Sequence, residues 1–415
     1  MSDNSLTEGE SITKMKDKLN ILFLCNKSPW PAREGGPIAM NKIIEGMYEA
    51  GHNVKVLALN TNKYQVQPED IPENYRKKTK IELVYVDLSI KMFDAFFNLF
   101  TNKSYHVERF ISKKFDEKLI EVLEENKFDI VQIELLFMSP YIKSIRKYSD
   151  ARIVLRAHNI EHLIWERLES SVRNPVKKFY LRHLAKTLKH YEMNILQSYN
   201  GIVPITKKDA TFFKEHTTTP VYPVSFGIDT SKIKTSDIKD QEHALFHIGA
   251  MNWLPNEEGI KWFLEHVWPK VHQLLPGIKL YLAGREMPDW LINTDLKNVF
   301  VVGEVEDAQE FIESKAISIA PLLSGSGIRI KIIESMALGK AVISTSIGAE
   351  GINYTNKQNI LIADTPEEFV QAIQFLFNDP VQTKRIGDNA SKLIRQQHDS
   401  KKIIEQLVQF YHQIF

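Results

Sequence analysis

The sequence predicts an α/β protein made of two Rossmann-like domains that face each other across a cleft. At 415 residues the chain exceeds one ordinary hydrophobic core, so two domains are expected. A pattern of strand, glycine loop, helix and strand occurs once in residues 20–59 and again in residues 316–344. The contents of 43% hydrophobic and 25% charged residues are typical of a globular protein.

The first predicted unit begins with an apolar strand at residues 20–25. A loop containing Gly35 and Gly36 follows it, and then a helix at 38–50 and a strand at 51–59. The glycine pair lets the backbone approach a ligand closely, and a tight turn is the alternative reason for it. Further predicted strands lie at residues 81–86, 129–133, 152–157 and 201–205, with helices at 115–125, 175–197 and 207–215.

The second predicted unit opens with a strand at 244–248, followed by Gly249 and a helix to about residue 266. Strands at 279–283 and 299–302 each end in a glycine, Gly284 and Gly303. Its last part contains a strand at 316–320, a glycine loop at 324–327, a helix at 329–338 capped by Gly339, a strand at 341–344, a helix at 366–377 capped by Thr365, and a continuous helix from 391 to the end.

These elements predict five regions. They are a disordered tail (1–18), a first Rossmann-like domain (19–225), a linker (226–243), a second Rossmann-like domain (244–395), and a C-terminal helix that packs back towards the first domain (396–415).

An anion is expected where the glycine loop meets the helix after it. Backbone N–H groups and the positive end of the helix dipole meet there. Arg329 and Lys331 stand in the first helical turn, where cations are disfavoured unless an anion is bound. A solvated helix face is the alternative. The spacing fits neither the dinucleotide fingerprint nor the P-loop.

The residues of this stretch read Gly325-x-Gly-x-Arg329-x-Lys331-x-x-Glu334. The stretch resembles the donor-site motif of a bacterial subgroup of retaining glycosyltransferases of family 4, and the resemblance covers nearly the whole chain after residue 18. It implies the GT-B fold, in which the first domain (19–225) binds the acceptor and the second (244–395) binds the nucleotide-sugar donor. Ser326 stands where the usual family motif has its first glutamate, so the donor-sugar contact of that carboxylate is not expected here.

The resemblance implies transfer of a sugar from a UDP-, GDP- or ADP-sugar to a glycan or lipid-linked acceptor, in bacterial surface polysaccharide or glycolipid synthesis. It implies no cofactor and no metal, and the chain has no Asp-x-Asp sequence. Arg329 and Lys331 would bind the diphosphate, His158 the sugar and Glu334 the ribose. Further nucleotide-sugar contacts are expected from Gly35, Gly36, Gly249, Asn252, Gly303, Val305, Ser326, Gly327 and Ile332.

Two other functions compete with this interpretation. His158-x-x-Glu161-His162 matches the inverted zinc-peptidase motif, which must lie within a helix and needs a further ligand. Here the motif starts at the end of a predicted strand. The serine at position 326 also makes a non-catalytic nucleotide-sugar or glycan-binding module conceivable.

Charge and cysteine content suggest where the protein works. Cys25 is the only cysteine, which excludes internal disulfides and favours a reducing compartment. No signal peptide or membrane-spanning run is apparent, so a cytoplasmic protein is expected, with no nucleic-acid partner. Residues 1–222 hold 34 Lys and Arg against 28 Asp and Glu, a net charge of +6, and the remainder holds 19 against 24, a net charge of −5. The basic helix at 175–197 and the aromatic residues at 93–100 predict a peripheral contact with an anionic membrane, with a solvated face and plain core as the alternatives.

Overall fold

The computed structural model describes residues 17–32, 35–89, 98–233, 241–325 and 327–415. Within these residues the chain forms two parallel six-stranded sheets, one in each half. The predicted α/β architecture of two Rossmann-like domains is therefore confirmed. Most of the tail at 1–18, part of the linker at 226–243, Ser326 and most of the aromatic segment at 93–100 lie outside the described residues.

The first sheet has the strand order β3-β2-β1-β4-β5-β6, and every pair in it is parallel. Parallel strands covered on both faces are apolar throughout, which is why the sequence located them within two residues. Their bounds are Asn20–Cys25 (β1), Asn53–Thr61 (β2), Glu82–Val86 (β3), Ile130–Glu134 (β4), Arg152–Ala157 (β5) and Gly201–Pro204 (β6).

The second sheet has the order β12-β11-β10-β7-β8-β9 and is also parallel. From β7, the first strand of this half, the chain adds β8 and β9 on one side and β10, β11 and β12 on the other. In parallel sheets, the place where the strand order reverses in this way leaves a crevice at the carboxyl ends of the strands. The bounds are Glu242–Ile248 (β7), Leu280–Ala283 (β8), Val299–Gly303 (β9), Lys315–Ala320 (β10), Ala341–Ser344 (β11) and Leu361–Ile362 (β12).

Helices cover both sheets. The first half contains Gly35–Glu49 (α1), Glu73–Thr79 (α2), Tyr105–Glu108 (α3), Lys113–Glu125 (α4), Ile142–Tyr148 (α5), Glu161–Ser171 (α6), Pro175–Ile195 (α7) and Lys207–His216 (α8). The second half contains Leu254–Trp262 (α9), Trp268–Leu274 (α10), Asp289–Ile292 (α11), Ala308–Glu313 (α12), Ile330–Ala337 (α13), Pro366–Asn378 (α14), Pro380–Gln397 (α15) and Ser400–Gln413 (α16). A single π-helical turn, Phe263–Val267, joins α9 to α10.

Two predicted helix caps are confirmed. At the end of α13 the N–H of Gly339 donates to Met336 and that of Lys340 to Ser335, the bonding pattern of a Schellman motif. At the start of α14 the Thr365 side chain and Glu368 form a reciprocal capping box. The sequence predicted both caps because a cap residue bonds to residues that lie close to it in the sequence.

The predicted continuous C-terminal helix is wrong at one point. The chain breaks between α15 and α16, and Asp399 caps the second helix through its bonds to the N–H groups of Lys401 and Lys402. The break lets the chain return to the first half. There Ile228, on the outgoing connection, exchanges backbone hydrogen bonds with His398 and Ser400 on the returning one. The two connections between the halves are thus hydrogen-bonded to each other.

The C-terminal helix α16 packs on the first half of the chain. Its apolar side chains Ile404, Leu407 and Phe410 join the core cluster formed by Phe23 of β1 and Ile44 of α1. The first domain therefore contains residues from both ends of the sequence. No helix in the described part of the chain has the length and apolarity needed to cross a membrane.

Candidate functional site

The glycine loop between β10 and α13 lies against the first half of the molecule. Gly325 and Gly327 have φ angles of 112° and 79°, which glycine tolerates best. A side chain at position 327 would also approach Asn159 Oδ1 to 3.0 Å. Because Asn159 belongs to the segment after β5, the loop forms part of the boundary between the two halves.

Arg329 occupies the N-cap position of α13 and is almost fully buried, with 7% of its surface exposed. Its Nη1 donates to the carbonyl of Gly327, and its guanidinium lies 5.4 Å from the ring centroid of Trp253. Burial lowers the pKa of Arg329 to about 10, an effect that nearby Glu350 opposes. The guanidinium therefore stays charged at neutral pH in a poorly solvated position, which favours an anion as its ligand.

Lys331 lies in the first turn of α13 and Glu334 in the second. Their side chains are partly exposed and form an ion pair with Nζ and Oε2 2.8 Å apart. The predicted phosphate and ribose contacts are thus already joined by an ion pair. Ile332 differs, since its side chain is 3% exposed and packs into the core with Phe226. The Ile332 side chain is therefore not available for the predicted contact with the nucleotide sugar.

His158 follows β5 at the carboxyl edge of the first sheet. Its Nε2 donates to Glu134 Oε2 over 2.8 Å, and Glu134 Oε1 accepts from Gln132 Nε2 over 2.6 Å. Gln132 Oε1 in turn accepts from the hydroxyl of Tyr411 on α16. A chain of buried hydrogen bonds therefore fixes the imidazole and leaves Nδ1 as the ring nitrogen that faces other partners.

Glu134 has two further neighbours in the sheet. It pairs in register with Cys25 of β1 and with Arg156 of β5. Burial first, and then the charge of Glu134, raises the pKa of the Cys25 thiol, as expected for a structural cysteine. The fully buried Arg156 donates to the carbonyls of Val224 and Ser225, and burial lowers its pKa to about 10 while Glu134 opposes the shift.

The N-terminus of α6 holds a second buried group of side chains. Glu192 of α7 accepts from the N–H groups of Glu161 and His162 over 3.0 and 3.1 Å, and from His162 Nδ1 over 2.7 Å. Burial and then the nearby Glu192 charge raise the pKa of Glu161 to about 8, while a hydrogen bond from Asn159 opposes the shift. The arrangement caps the helix with a carboxylate.

The zinc-peptidase interpretation of this segment is wrong. Helix α6 begins at Glu161, so His158 lies outside the helix that the motif requires. The two imidazoles bind different carboxylates, Glu134 and Glu192. Among the described residues no group of three or more His, Cys, Asp or Glu side chains is arranged to hold a metal ion.

The other predicted contacts lie in loops or at the ends of helices and strands near the carboxyl edges of both sheets. Gly35 and Gly36 begin helix α1 and do not form a separate loop before it. Gly249 follows β7, and Asn252 on that loop donates to Glu286 over 2.8 Å. Gly303 ends β9, and Val305 packs beside the core cluster that contains Phe246.

A narrow cleft lies between the two halves beside the glycine loop, lined by Arg167 and Thr206 of the first half and by Gly327 and Glu350 of the second. Arg167 of α6 donates to the carbonyl of Gly325 over 3.4 Å and lies 3.9 Å from Glu350. Lys208 of α8 pairs with the same carboxylate over 2.7 Å. These ion pairs hold α6 and α8 of the first half against the second half.

Sequence reasoning missed several of these residues. Glu134 directly follows the predicted strand at 129–133, and its position at the carboxyl edge of a parallel sheet was the available signal. Trp253 lies within the predicted loop that begins at Gly249, and nothing in the sequence marked it as a site residue. Arg167 and Glu350 lie in unrelated segments, so only the folded chain brings them together.

Comparison with known proteins agrees with this geometry. Residues 242–379 match the model of a family described as "Glycosyl transferases group 1". This match covers the second sheet and includes the glycine loop and α13. Together with the two facing Rossmann-like halves, it supports a glycosyltransferase with the GT-B fold.

Individual proteins extend the similarity to nearly the whole chain. A protein of Klebsiella pneumoniae, described as "Uncharacterized 44.6 kDa protein in cps region", is 25% identical over 402 residues, covering 93% of this chain and 98% of that one. Sucrose-phosphate synthase of Thermosynechococcus elongatus has a TM-score of 0.69 at 13% identity, covering 95% and 99% of the two chains. HepE of Anabaena in complex with UDP has a TM-score of 0.65 at 13% identity, covering 94% and 99%.

Proposed function

We propose that this protein is a retaining, metal-independent glycosyltransferase of family 4. It transfers a sugar from a nucleotide diphosphate sugar to a glycan or lipid-linked acceptor. The observation that carries the proposal is the position of Arg329, buried at the N-terminus of α13 and beside the boundary between two GT-B halves. The family match over residues 242–379 supports the activity.

Arg329 and Lys331 act on the leaving group. Breaking the bond at the anomeric carbon leaves negative charge on the diphosphate, and cations placed there in advance stabilise that charge more in the transition state than in the ground state. Arg329 is held by the Gly327 carbonyl and the Trp253 ring, so little reorganisation is needed when the charge develops. Lys331 is shared between the diphosphate and Glu334.

His158 faces the donor sugar. Its Nε2 is committed to Glu134, so the other ring nitrogen, Nδ1, contacts the sugar. Because the histidine is 8% exposed and its partner is fully buried, the ring keeps one orientation during the reaction. Positioning a donor sugar in this way contributes to the rate by fixing the geometry of attack.

The donor is a nucleotide sugar, and UDP-glucose is the first one to test. The structural neighbour from Anabaena has also been described with UDP-glucose, at a TM-score of 0.62 and 14% identity, covering 94% and 99% of the two chains. The relative from a cps region supports a role in the synthesis of a bacterial surface polysaccharide or glycolipid.

The protein works in the cytoplasm at the inner face of the membrane. The exposed start of α7 combines the apolar side chains Val176 and Phe179, 78% and 67% exposed, with Lys177 and Lys178. Phe100 is 77% exposed. Its segment lies against the same helix, since the Asn98 carbonyl is hydrogen-bonded to Nε2 of His183 on α7. Apolar and basic groups on one surface favour an interfacial contact with anionic lipid.

Thermal shift with UDP-, GDP- and ADP-sugars tests the donor class, since a ligand at 100 times its Kd stabilises the protein by about 2.7 kcal/mol. Release of nucleoside diphosphate in the presence of a membrane extract with acceptors then tests transfer. Binding without release would favour the non-catalytic module that the serine at position 326 makes conceivable. No response to any nucleotide sugar would refute the proposal.

A further inference from the structure

A second pocket lies between the two halves, distinct from the cleft beside the glycine loop. It has a volume of about 180 Å³, and Lys27, Trp30 and Tyr64 of the first half and Arg285 of the second half line it. We call it the Trp30 pocket. Two cations and two aromatic rings around one cavity form an unusual combination, because charged side chains ordinarily face open solvent.

The aromatic wall of the Trp30 pocket is held in place from behind. The indole of Trp30 packs on the ring of Tyr75 with centroids 5.4 Å apart, and the Ser28 hydroxyl bonds to both the N–H and the carbonyl of Trp30. The backbone of Val66, on the opposite wall, is bonded at its N–H and its carbonyl by the Asn60 side chain. The wall is therefore formed before any ligand arrives.

The two cations come from different halves. The Lys27 ammonium lies 4.3 Å from the ring centroid of Tyr64, which orients it along the aromatic wall. Arg285 follows β8, where its carbonyl accepts from the N–H of Met251 and the N–H of the preceding Gly284 donates to the carbonyl of Gly303. The backbone on either side of Arg285 is thus fixed, and its side chain extends to the first half.

Helix α1 separates this pocket from the glycine loop. Pro37 lines the Trp30 pocket, whereas the next residues, Ile38 and Ala39, pack beside the cluster that contains Ile332 and Ile333 of α13. The pocket and the donor helix therefore lie on two sides of the same helix N-terminus. A transferase needs a second substrate within reach of the first, and this pocket is suitably close.

We propose that the Trp30 pocket binds the acceptor and selects a saccharide that carries an anionic group. This inference rests on the proposed glycosyl transfer. Apolar faces of sugar rings pack against aromatic side chains such as Trp30 and Tyr64, while Lys27 and Arg285 bind a carboxylate or phosphate on the same molecule. Because Arg285 belongs to the donor domain, an anionic acceptor also draws the two halves together.

The test follows the resonance of Trp30 by ¹⁹F NMR in protein labelled with 5-fluorotryptophan, in which the Trp30→Phe variant identifies the signal. The ligands are methyl α-D-glucuronide, α-D-glucose 1-phosphate and neutral methyl α-D-glucoside, each added in the presence of UDP. A response to glucuronide alone indicates a uronic acid in the acceptor, and a response to the phosphate alone indicates a phosphorylated or lipid-linked sugar. A glucoside response as strong as both anions overturns the inference, and so does the absence of any response.

Matched variants locate the anion. Lys27→Gln and Arg285→Gln are each expected to weaken binding of the effective anion about tenfold, the typical result of removing one charge-assisted contact. Lys63→Gln is the control, because Lys63 also lies over the Tyr64 ring, at 5.1 Å, but does not line the pocket. The Kd of UDP should stay within twofold in all three variants.

The UDP measurement separates the two proposals. A rise in the Kd of UDP in Lys27→Gln would place the pocket in the donor site and overturn the acceptor assignment. If the protein binds no nucleotide at all, the proposed function fails first. If it binds UDP normally but none of these acceptor groups, only the inference about the Trp30 pocket fails.

Discussion

At the scale of single residues, burial decides what each charged side chain of the cleft can do. Arg329 is held almost completely out of water, whereas Lys331 is 43% exposed and paired with Glu334. A cation in a poorly solvated position interacts more strongly with an anion than one in water does. The two cations of the motif are therefore not equivalent.

Replacement of the two cations tests their role at the diphosphate. Arg329→Ala and Lys331→Ala should each reduce turnover about 100-fold or more, with the larger loss at the buried arginine. Arg329→Lys should restore activity only in part, because an ammonium cannot reproduce the guanidinium fork. Steady-state kinetics with the donor identified by thermal shift measure this, and circular dichroism checks the fold. Near-normal turnover in both alanine variants would contradict the assignment.

The hydrogen bond between Glu134 and His158 predicts that Glu134 positions the imidazole of His158. Glu134→Gln should lower kcat while the Kd of nucleoside diphosphate stays unchanged, because the amide does not hold the imidazole tautomer as the carboxylate does. His158→Ala should show the same division more strongly. The control is Glu192→Gln, which breaks a similar buried pair with His162. Equal losses of kcat in both glutamine variants would mean that the effect is only structural.

Glu161 predicts a dependence of stability on pH. Its pKa of about 8 in the folded state exceeds the ordinary value of 4.5, so the native state binds more protons than the unfolded state between these values. Stability contributed by this group is therefore full below pH 4.5 and is lost as the pH rises towards 8. The loss is on the order of 2–4 kcal/mol by pH 7.

The Glu161→Gln variant lacks this titration, so its stability relative to the wild type should increase from pH 5 to pH 8. Urea unfolding at four pH values in that range measures the difference. Glu166→Gln, a substitution of a partly exposed residue on the same helix, is the matched control. A constant difference across the pH range would show that Glu161 titrates normally.

At the scale of elements, the packing of α16 on α1 depends on a missing side chain. A Cβ atom at Gly46 would lie 2.5 Å from Cγ1 and 2.6 Å from Cδ1 of Ile404. Real Cβ contacts are longer than this, so the two helices lie as close as they do only because residue 46 is glycine. The C-terminal helix is held to the first half in part by this close contact.

A double-mutant cycle tests the contact. Alanine in a helix is favoured over glycine by about 1 kcal/mol, but the clash should cost about 1–3 kcal/mol, so Gly46→Ala is expected to destabilise the protein or leave it unchanged. In the Ile404→Ala background the same substitution should stabilise it, because the clashing atoms are gone. Unfolding free energies of the four proteins give the coupling. Gly277→Ala, where nothing lies within 4 Å, is the control.

At the scale of the whole molecule, basic and apolar groups occupy one end of the first half. In the proposed membrane contact, the charges of +6 in residues 1–222 and −5 in residues 223–415 would orient the first half towards an anionic surface. Each Lys or Arg near such a surface contributes about 1 kcal/mol, so a few of them would hold the protein weakly and reversibly. The second half would then stay free to close over the proposed donor.

This arrangement predicts binding to anionic vesicles that weakens as salt rises, measured by co-sedimentation. Replacement of Lys177, Lys178, Arg182 and Lys186 by Ser should reduce the bound fraction severalfold. Replacement of four exposed basic residues of the second half by Ser, at Lys357, Lys384, Arg385 and Lys392, should not. Absence of co-sedimentation at low salt would favour an acceptor in solution.

The sequence by itself determined the two-domain α/β fold and the position of the glycine loop at 324–327. Buried parallel strands require uninterrupted apolar runs, and caps such as Thr365 and Gly339 act on residues three to five positions away. Both signals are local. The motif from Gly325 to Glu334 is likewise a single stretch, so its residues could be recognised without knowledge of their neighbours.

Only the tertiary structure decided which side chains meet. Glu134 reaches His158, and Tyr411 reaches Gln132 across 279 positions of the chain, because neighbouring strands and a returning helix bring them together. The depth of burial that sets Arg329 apart from Lys331 depends on Trp253 and on the contact between the halves. Contacts of this kind join segments that are distant in the sequence, so a pattern of neighbouring residues does not predict them.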